Sequence, residues 1–209
     1  MKIGILGAGN VGGALGESWA RRGHEIVFGV RNPGTDEVRA LLSRCGAKAS
    51  ASSAAEAARA SDAIVNALPW PAAKTVLEGL DLQGKVLLDC ANPLKPDLSG
   101  LEVGTNTSGG EMVAAWAKGA KVVKIFNTTG YANMENPSYG GEPIPMFYCG
   151  DDAGAKKIAA GLARDTGFDP MDAGPLSNAR LLEPYALLWI WLAIKGSTGR
   201  EFAFKIVKR

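Results

Sequence analysis

The chain has 209 residues, 46% hydrophobic and 21% charged, an ordinary globular composition and enough for one large domain, or one with a small appendage, at about 150 residues per domain. Its 23 basic and 21 acidic residues leave a net charge of +2, which excludes the polybasic field that nucleic acid or anionic lipid would require. Three scattered cysteines, Cys45, Cys90 and Cys149, and a single histidine, His24, exclude a disulfide framework, a thiolate metal cluster and a His-rich metal site.

Lys2 to Leu6 is a short apolar strand and Gly7 to Gly12 a turn. Val11, Leu15, Ser18, Trp19 and Arg22 then fall at helical spacing, with Gly23 where a left-handed cap belongs. Glu25 to Val30 is a second strand, closed by the turn signal Arg31-Asn32-Pro33. Asp36 to Arg44 reads as a helix and Ala47 to Ala49 as a short strand. Ser53 to Glu56 is a capping box opening a helix to about Ala60. Asp62 to Leu68 is a near-continuous apolar strand, of the kind buried on both faces of a parallel sheet. Pro69-Trp70-Pro71 ends it, and a helix to about Gly79 and a strand over Lys85 to Cys90 follow. Ser108 to Glu111 is a second capping box, with a helix to Lys118. Ala120 to Phe126 is a strand, and Asn127 to Pro143, aperiodic and rich in Gly, Asn and Pro, is a long loop. Ile144 to Cys149 is a strand, Asp151 caps a helix ended by Gly167, and Phe168 to Met171 is the last strand. A helical region from Ser177 to about Lys195 carries Pro184 as a kink or break. This alternation predicts an α/β fold, a doubly wound, mostly parallel Rossmann-type sheet, with the main domain over 1–175 and a helical extension over 176–209.

The longest apolar run, Ala186 to Ile194, has nine residues, against about 20 needed to cross a bilayer. Met1-Lys2 leads straight into the first strand without the longer apolar core of a secretory signal. The expectation is a cytoplasmic protein with its native start and no membrane partner.

Gly7-Ala8-Gly9-Asn10-Val11-Gly12 fits G-x-G-x-x-G, and it stands between a strand and a helix, the context that gives the pattern its meaning. The first glycine permits the tight turn, the second lets a pyrophosphate approach the backbone, and the third lets helix pack on strand. The phosphates then face the N–H groups and positive end of the helix. An NAD-specific site usually places Asp or Glu at the end of the second strand. Here that end reads Phe28-Gly29-Val30-Arg31-Asn32, and the guanidinium of Arg31 matches a 2′-phosphate in charge and fork geometry. Leu68-Pro69-Trp70 and Ala91-Asn92-Pro93 fall at carboxyl ends of strands, where ligands of such sheets bind.

These residues resemble the NADPH-dependent reductases of the deazaflavin coenzyme (coenzyme F-420) and the NADPH-binding reductase domain of the STEAP metalloreductases. The resemblance covers essentially the whole chain. It rests on the glycine loop, Gly29-Val30-Arg31-Asn32-Pro33, Val122 to Thr128, Cys149-Gly150-Asp151-Asp152 and Met171 to Leu181. It implies NADP(H) along the carboxyl edge of the sheet with a flavin-like ring stacked on the nicotinamide. Pyrophosphate would lie on Ala8, Gly9, Asn10 and Val11, and the 2′-phosphate on Val30 and Arg31, with Asn32 adding a hydrogen bond. The nicotinamide side would fall near Leu68, Pro69, Trp70, Asn92 and the loop from Asn127 and Thr128 to Gly130. Val30 stands where the deazaflavin reductases tend to carry a small hydroxyl residue. Asn127 stands where they tend to carry His, and the Asn-Thr form is closer to the STEAP domain.

Hydride exchange between nicotinamide and a flavin-type ring is chemistry of the two cofactors, and the protein supplies orientation and exclusion of water. That suits a chain whose one histidine is expected on the amino-terminal edge of the sheet, away from the crevice. Asp151-Asp152 reads as a helix-capping pair, Cys90 and Cys149 as buried thiols, and Tyr185, Trp189 and Trp191 as core or homodimer interface. The expected function is hydride transfer between NADPH and a small-molecule acceptor: deazaflavin coenzyme F-420, flavin or quinone-like. Two readings stand beside it. A two-domain dehydrogenase of hydroxy acids or imines would need more chain after the last sheet strand. A non-enzymatic NADP(H) sensor or scaffold would carry the same glycine loop and Arg31.

Overall fold

The computed structural model describes every residue except Lys208. Ten strands and eight helices alternate along the described chain: β1 (Lys2–Leu6), α1 (Asn10–Arg21), β2 (Glu25–Gly29), α2 (Asp36–Cys45), β3 (Ala49–Ser52), α3 (Ala54–Ala60), β4 (Ala63–Asn66), α4 (Trp70–Glu78), β5 (Val86–Asp89), α5 (Gly109–Trp116), β6 (Lys121–Lys124), α6 (Tyr131–Glu135), β7 (Ser138–Tyr139), β8 (Glu142–Pro143), β9 (Pro145–Gly150), α7 (Ala153–Thr166), β10 (Asp169–Asp172) and α8 (Ala179–Ile194). Eight strands form one sheet in the order β10-β9-β6-β5-β4-β1-β2-β3, and β7 and β8 make a separate hairpin. The strands from β3 to β6 pair in parallel. Strand β9 runs antiparallel to β6, and β10 is parallel to β9. The order turns back at β1, between β2 and β4, so a crevice opens there above the carboxyl ends of the strands.

The core divides across the sheet because successive strand residues point to opposite faces. Ile3, Ile5, Val65, Leu88 and Val123 meet Leu15 and Trp19 of α1 and Leu162 of α7 on one face. Leu6, Ile64, Leu87 and Val122 meet Ala58, Leu77 and Val113 of α3, α4 and α5 on the other. Burial on both faces explains why β4 and β5 read as apolar runs and not as alternating patterns. Trp19 is fully buried and its indole N–H donates to Leu162 O at 2.9 Å, locking α1 to α7.

Several sequence expectations shift. The short third strand lies at Ala49–Ser52 and not at Ala47–Ala49. The supposed loop over Asn127 to Pro143 contains α6 and the β7–β8 hairpin. The helix is too short to show a period, and the hairpin turns on Gly140 and Gly141, both at positive φ. The cap of α7 is Asp152, which accepts from Ala155 N at 2.8 Å, whereas Asp151 accepts from Leu176 N at 2.9 Å and pins the turn after β10. Helix α8 continues through Pro184, whose ring is exposed. The capping box at Ser53 is complete. At Ser108 the hydroxyl accepts from Glu111 N, while the Glu111 carboxylate turns to Arg180 as well.

All three cysteines are buried and unpaired. Burial pushes the Cys45 thiol up to about 11 and Cys149 up to about 12, and raises Cys90 well above the ordinary thiol range. Among the described residues no helix is long and apolar enough to cross a membrane, and no cluster of acidic, His and Cys side chains could hold a metal.

Candidate functional site

The glycine loop is built at the end of β1. Gly7 has φ +103°, and a Cβ there would lie 2.7 Å from Ala67 O; a Cβ at Gly12 would lie 2.2 Å from Gly7 O. Both contacts are closer than any side chain tolerates, so the loop presses on the end of β4 at Gly7 and the first turn of α1 presses on the loop itself at Gly12. Around a Cβ at Gly9 there is open space. Gly9 opens α1, and the first turn of that helix has neither a side-chain cap nor an acidic residue. Its N–H groups and positive dipole end are therefore available to an anion. Val30 follows at the end of β2, half-buried, with Arg31 and Asn32 exposed beyond it. Asn32 Oδ1 accepts from Gly34 N at 3.0 Å, which folds the turn back and leaves Arg31 at its rim. These features fit the diphosphate and the 2′-phosphate of a dinucleotide.

Beside the loop a cleft of about 510 Å³ opens over the carboxyl ends of β4, β5 and β6. Val11, Leu68, Trp70, Asn92, Asn127 and Tyr131 are among its walls, together with Pro69 at the start of α4. Trp70 leans on Trp116, with ring centroids 5.0 Å apart, and its indole N–H donates to Glu102 at 2.9 Å. Asn92 Nδ2 donates to Asn127 O at 2.8 Å, and Asn127 Nδ2 donates back to Asn92 Oδ1 at 3.1 Å. This reciprocal pair leaves the buried Asn127 Oδ1 without a donor. Thr128 does not face the cleft: its hydroxyl is buried against Met146 Sδ at 3.8 Å. Phe126, two residues past the end of β6, sits at φ +61° with its ring held edge-on by Trp19 and Phe168. That left-handed backbone at a buried aromatic residue turns the chain from the sheet into the cleft wall.

Sequence reasoning missed a polar row beneath this cleft. Asn66, Asp89 and Lys124 end β4, β5 and β6 and stand side by side in register. All three are fully buried. Asn66 Nδ2 donates to Asp89 Oδ1 at 2.8 Å, and Lys124 Nζ lies 2.8 Å from Asp89 Oδ2 and 2.9 Å from Glu183 Oε1. Lys124 also donates to Ala91 O, in the cleft wall. Burial pulls the Lys124 pKa down, but Asp89 and Glu183 outweigh it and hold the ammonium above its ordinary value. Glu183 in turn accepts from the N–H groups of Gly109 at 2.8 Å and Gly110 at 2.9 Å, at the start of α5. The signal was present in the sequence: three adjacent apolar strands each end on a polar residue.

His24 lies at the other edge of the sheet, as expected, with Nε2 3.0 Å from Asp165 Oδ2. A concavity of about 650 Å³ at that amino edge, lined by Lys2, Glu25, Lys48 and Asp62, has no glycine loop or uncapped helix start beside it. The cleft over β4–β6 therefore carries the candidate chemistry. Its walls are mostly apolar, aromatic and carboxamide groups, with Lys95 and Glu102 the charged residues at the rim, an arrangement suited to holding a ring in place.

The family model for NADP oxidoreductase, coenzyme F420-dependent, matches residues 2–93. A solved structure from Arthrobacter sp. FB24, assigned by name to the F420-dependent NADP reductases, is 30% identical with a TM-score of 0.88, and the match covers 100% of both chains. This chain belongs to the coenzyme F420-dependent NADP oxidoreductase family. Metalloreductase STEAP3 of Rattus norvegicus is 29% identical over 194 residues, which are 91% of this chain and 38% of that protein. The chain thus spans about two fifths of the length of this curated relative. A reductive aminase from Aspergillus terreus, solved with NADPH, is 17% identical with a TM-score of 0.68 over 93% of this chain and 62% of that one, a likeness of fold.

Proposed function

We propose that this NADP-dependent oxidoreductase binds NADP(H) along the carboxyl edge of its sheet and passes a hydride between the nicotinamide and a planar, flavin-like acceptor: the deazaflavin coenzyme, a flavin or a quinone-like ring. The observation that carries this reading is the 510 Å³ cleft walled by Trp70 and Tyr131 and continuous with Val11 of the glycine loop. One end of a dinucleotide lying on that loop would reach it.

Bound NADPH supplies the hydride. Ala8, Gly9, Asn10 and Val11 would hold the pyrophosphate on the start of α1, whose dipole favours negative charge. Val30, Arg31 and Asn32 would hold the 2′-phosphate. Leu68, Pro69, Asn92 and Asn127 would flank the nicotinamide, with the unpaired Asn127 Oδ1 free to accept from a ring amide. Trp70 and Tyr131 would hold the acceptor face-on and exclude water. In this reading residues 1–175 form the nucleotide-binding domain and residues 176–209 a helical extension packed on it, and the protein works in the cytoplasm as a homodimer.

The test is NADPH oxidation with FMN, FAD, the deazaflavin coenzyme, a quinone and a ferric chelate, the last because one relative is named a metalloreductase. At least one planar acceptor should be reduced. Trp70→Ala should raise its KM while NADPH affinity barely moves. NADPH binding with no acceptor reduced would favour a sensor, and loss of NADPH binding in Trp70→Ala would misplace the acceptor.

A further inference from the structure

Helix α8 ends in Ile194, and Gly196-Ser197-Thr198-Gly199 turns the chain back over it. The returning segment then lays an aromatic layer on α8. The Phe202 ring stacks on Trp189 with centroids 5.1 Å apart and planes 12° apart. Phe204 packs on Tyr185 at 5.0 Å, and Tyr185 packs on Phe147 of β9 at 5.5 Å. Phe202 O accepts from Trp189 Nε1 at 3.1 Å and from Asn133 Nδ2 of α6 at 2.9 Å. Arg200 stands 6.0 Å over the Tyr131 ring. At the far end Lys205 pairs with Glu142 between two solvent-exposed side chains.

Two of the residues that hold this segment, Trp189 and Tyr131, are walls of the cleft. Trp189 is 5% exposed and presses on the loop that leads to Tyr131: a Cβ at Gly130 would lie 2.3 Å from the indole. The indole thus has the Phe202 ring over one face and the Gly130 backbone against the edge of its six-membered ring, and any tilt of it changes the space left to that loop.

We propose that the segment 197–204 braces the acceptor site from behind, with Phe202 a positioning residue that sets the Thr129–Tyr131 wall through Trp189. Phe202 itself does not touch the acceptor. The proposal rests on the reading of the cleft given above. It predicts that acceptor recognition, and not nucleotide binding, depends on a residue outside the Rossmann sheet.

The experiment compares Phe202→Ala, Phe202→Tyr and Lys205→Ala with the wild-type chain in three measurements: KM and kcat with FMN, NADPH affinity by calorimetry, and amide hydrogen exchange. Phe202→Ala should raise the KM for FMN about threefold to tenfold, the size of one lost aromatic pair, with NADPH affinity unchanged. Amides of residues 129–133 should exchange faster, while those of 2–12 keep their protection. Phe202→Tyr keeps the stack and should restore both readouts, and Lys205→Ala should match wild type. Unchanged exchange at 129–133 in Phe202→Ala overturns the clamp, as does an equal loss of NADPH affinity. Faster exchange there in a chain that reduces no acceptor upholds the clamp and removes the acceptor reading.

Discussion

Lys124 Nζ lies 2.9 Å from Glu183 Oε1, and neither side chain is reached by solvent. The pair joins the end of a central strand to the last helix and, through Gly109 and Gly110, to the start of α5. Removing one member of a buried ion pair leaves the other charge uncompensated, at about 3–5 kcal/mol. Lys124→Met should lower unfolding stability by that amount in urea titrations, and Glu183→Gln should lower it less, because its amide can still bond Lys124 or α5. A Lys124→Met variant as stable as wild type would mean that the network is slack.

Glu111 predicts an acid dependence. Its carboxylate takes two bonds from Arg180, at 2.8 and 2.6 Å, and one from Ser108 Oγ at 2.7 Å. The Arg180 hydrogen bonds are the main cause holding its pKa below the ordinary 4.5. A lowered folded value means that the unfolded chain takes up the proton first. The stability Glu111 contributes is therefore complete above 4.5 and lost as pH falls through its folded value. Urea midpoints should be lower for Glu111→Gln than for wild type at neutral pH, and the gap should close in acid. A gap independent of pH would refute the ion pair.

Arg31 should decide between the two nucleotides. No residue from Ile26 to Gly34 is acidic, so nothing there repels a 2′-phosphate. A charge-assisted hydrogen bond is worth about 1.5–3 kcal/mol, which is roughly tenfold to a hundredfold in affinity. Calorimetry should show Arg31→Ala losing that factor for NADPH and almost nothing for NADH. Added salt should erode the wild-type preference. Equal wild-type affinity for both nucleotides would make Arg31 a bystander.

Helix α8 also presents an apolar stripe. Leu181, Leu188, Trp191 and Ile194 are 66%, 51%, 51% and 47% exposed, and their spacing puts them along one side of a helix. A second copy of the chain is the occupant we expect. Sedimentation equilibrium at tens of micromolar should give a dimer, and the double variant Leu188→Glu, Trp191→Glu a monomer. A wild-type monomer at that concentration disproves it.

Where sequence and structure agree, the cause is local. The apolar period of β1, β4 and β5, the cap at Ser53 and the glycine loop are each written within a few residues. The cleft was legible in part the same way: Leu68, Pro69, Trp70 and Asn92 follow strand ends, which can be read from the pattern, whereas Asn127 was pointed to only by the family resemblance. What escaped depends on contacts between distant segments. Lys124, inside the strand read over Ala120 to Phe126, takes its meaning only from Asp89 and Glu183, which the fold brings beside it. Helix α6 has too few residues to carry a period. Phe202 reads as a scattered aromatic until the turn at Gly196–Gly199 lays it on Trp189. Thr128, expected at the nicotinamide from the resemblance, is buried against Met146, and the left-handed backbone of Phe126 just before it carries no signal in the sequence.

The three inert thiols make the molecule its own stopwatch. Cys45 lies at the end of α2, Cys90 in the lining of the cleft and Cys149 on β9, so they sample separate parts of the molecule. Each holds its proton far more firmly than a free cysteine does, and alkylating reagents attack the thiolate. Iodoacetamide should therefore leave the folded protein unmarked and stamp each site only when its neighbourhood opens. Peptide mapping of the three labels over time would then rank the regions by how often they come apart, without an engineered cysteine.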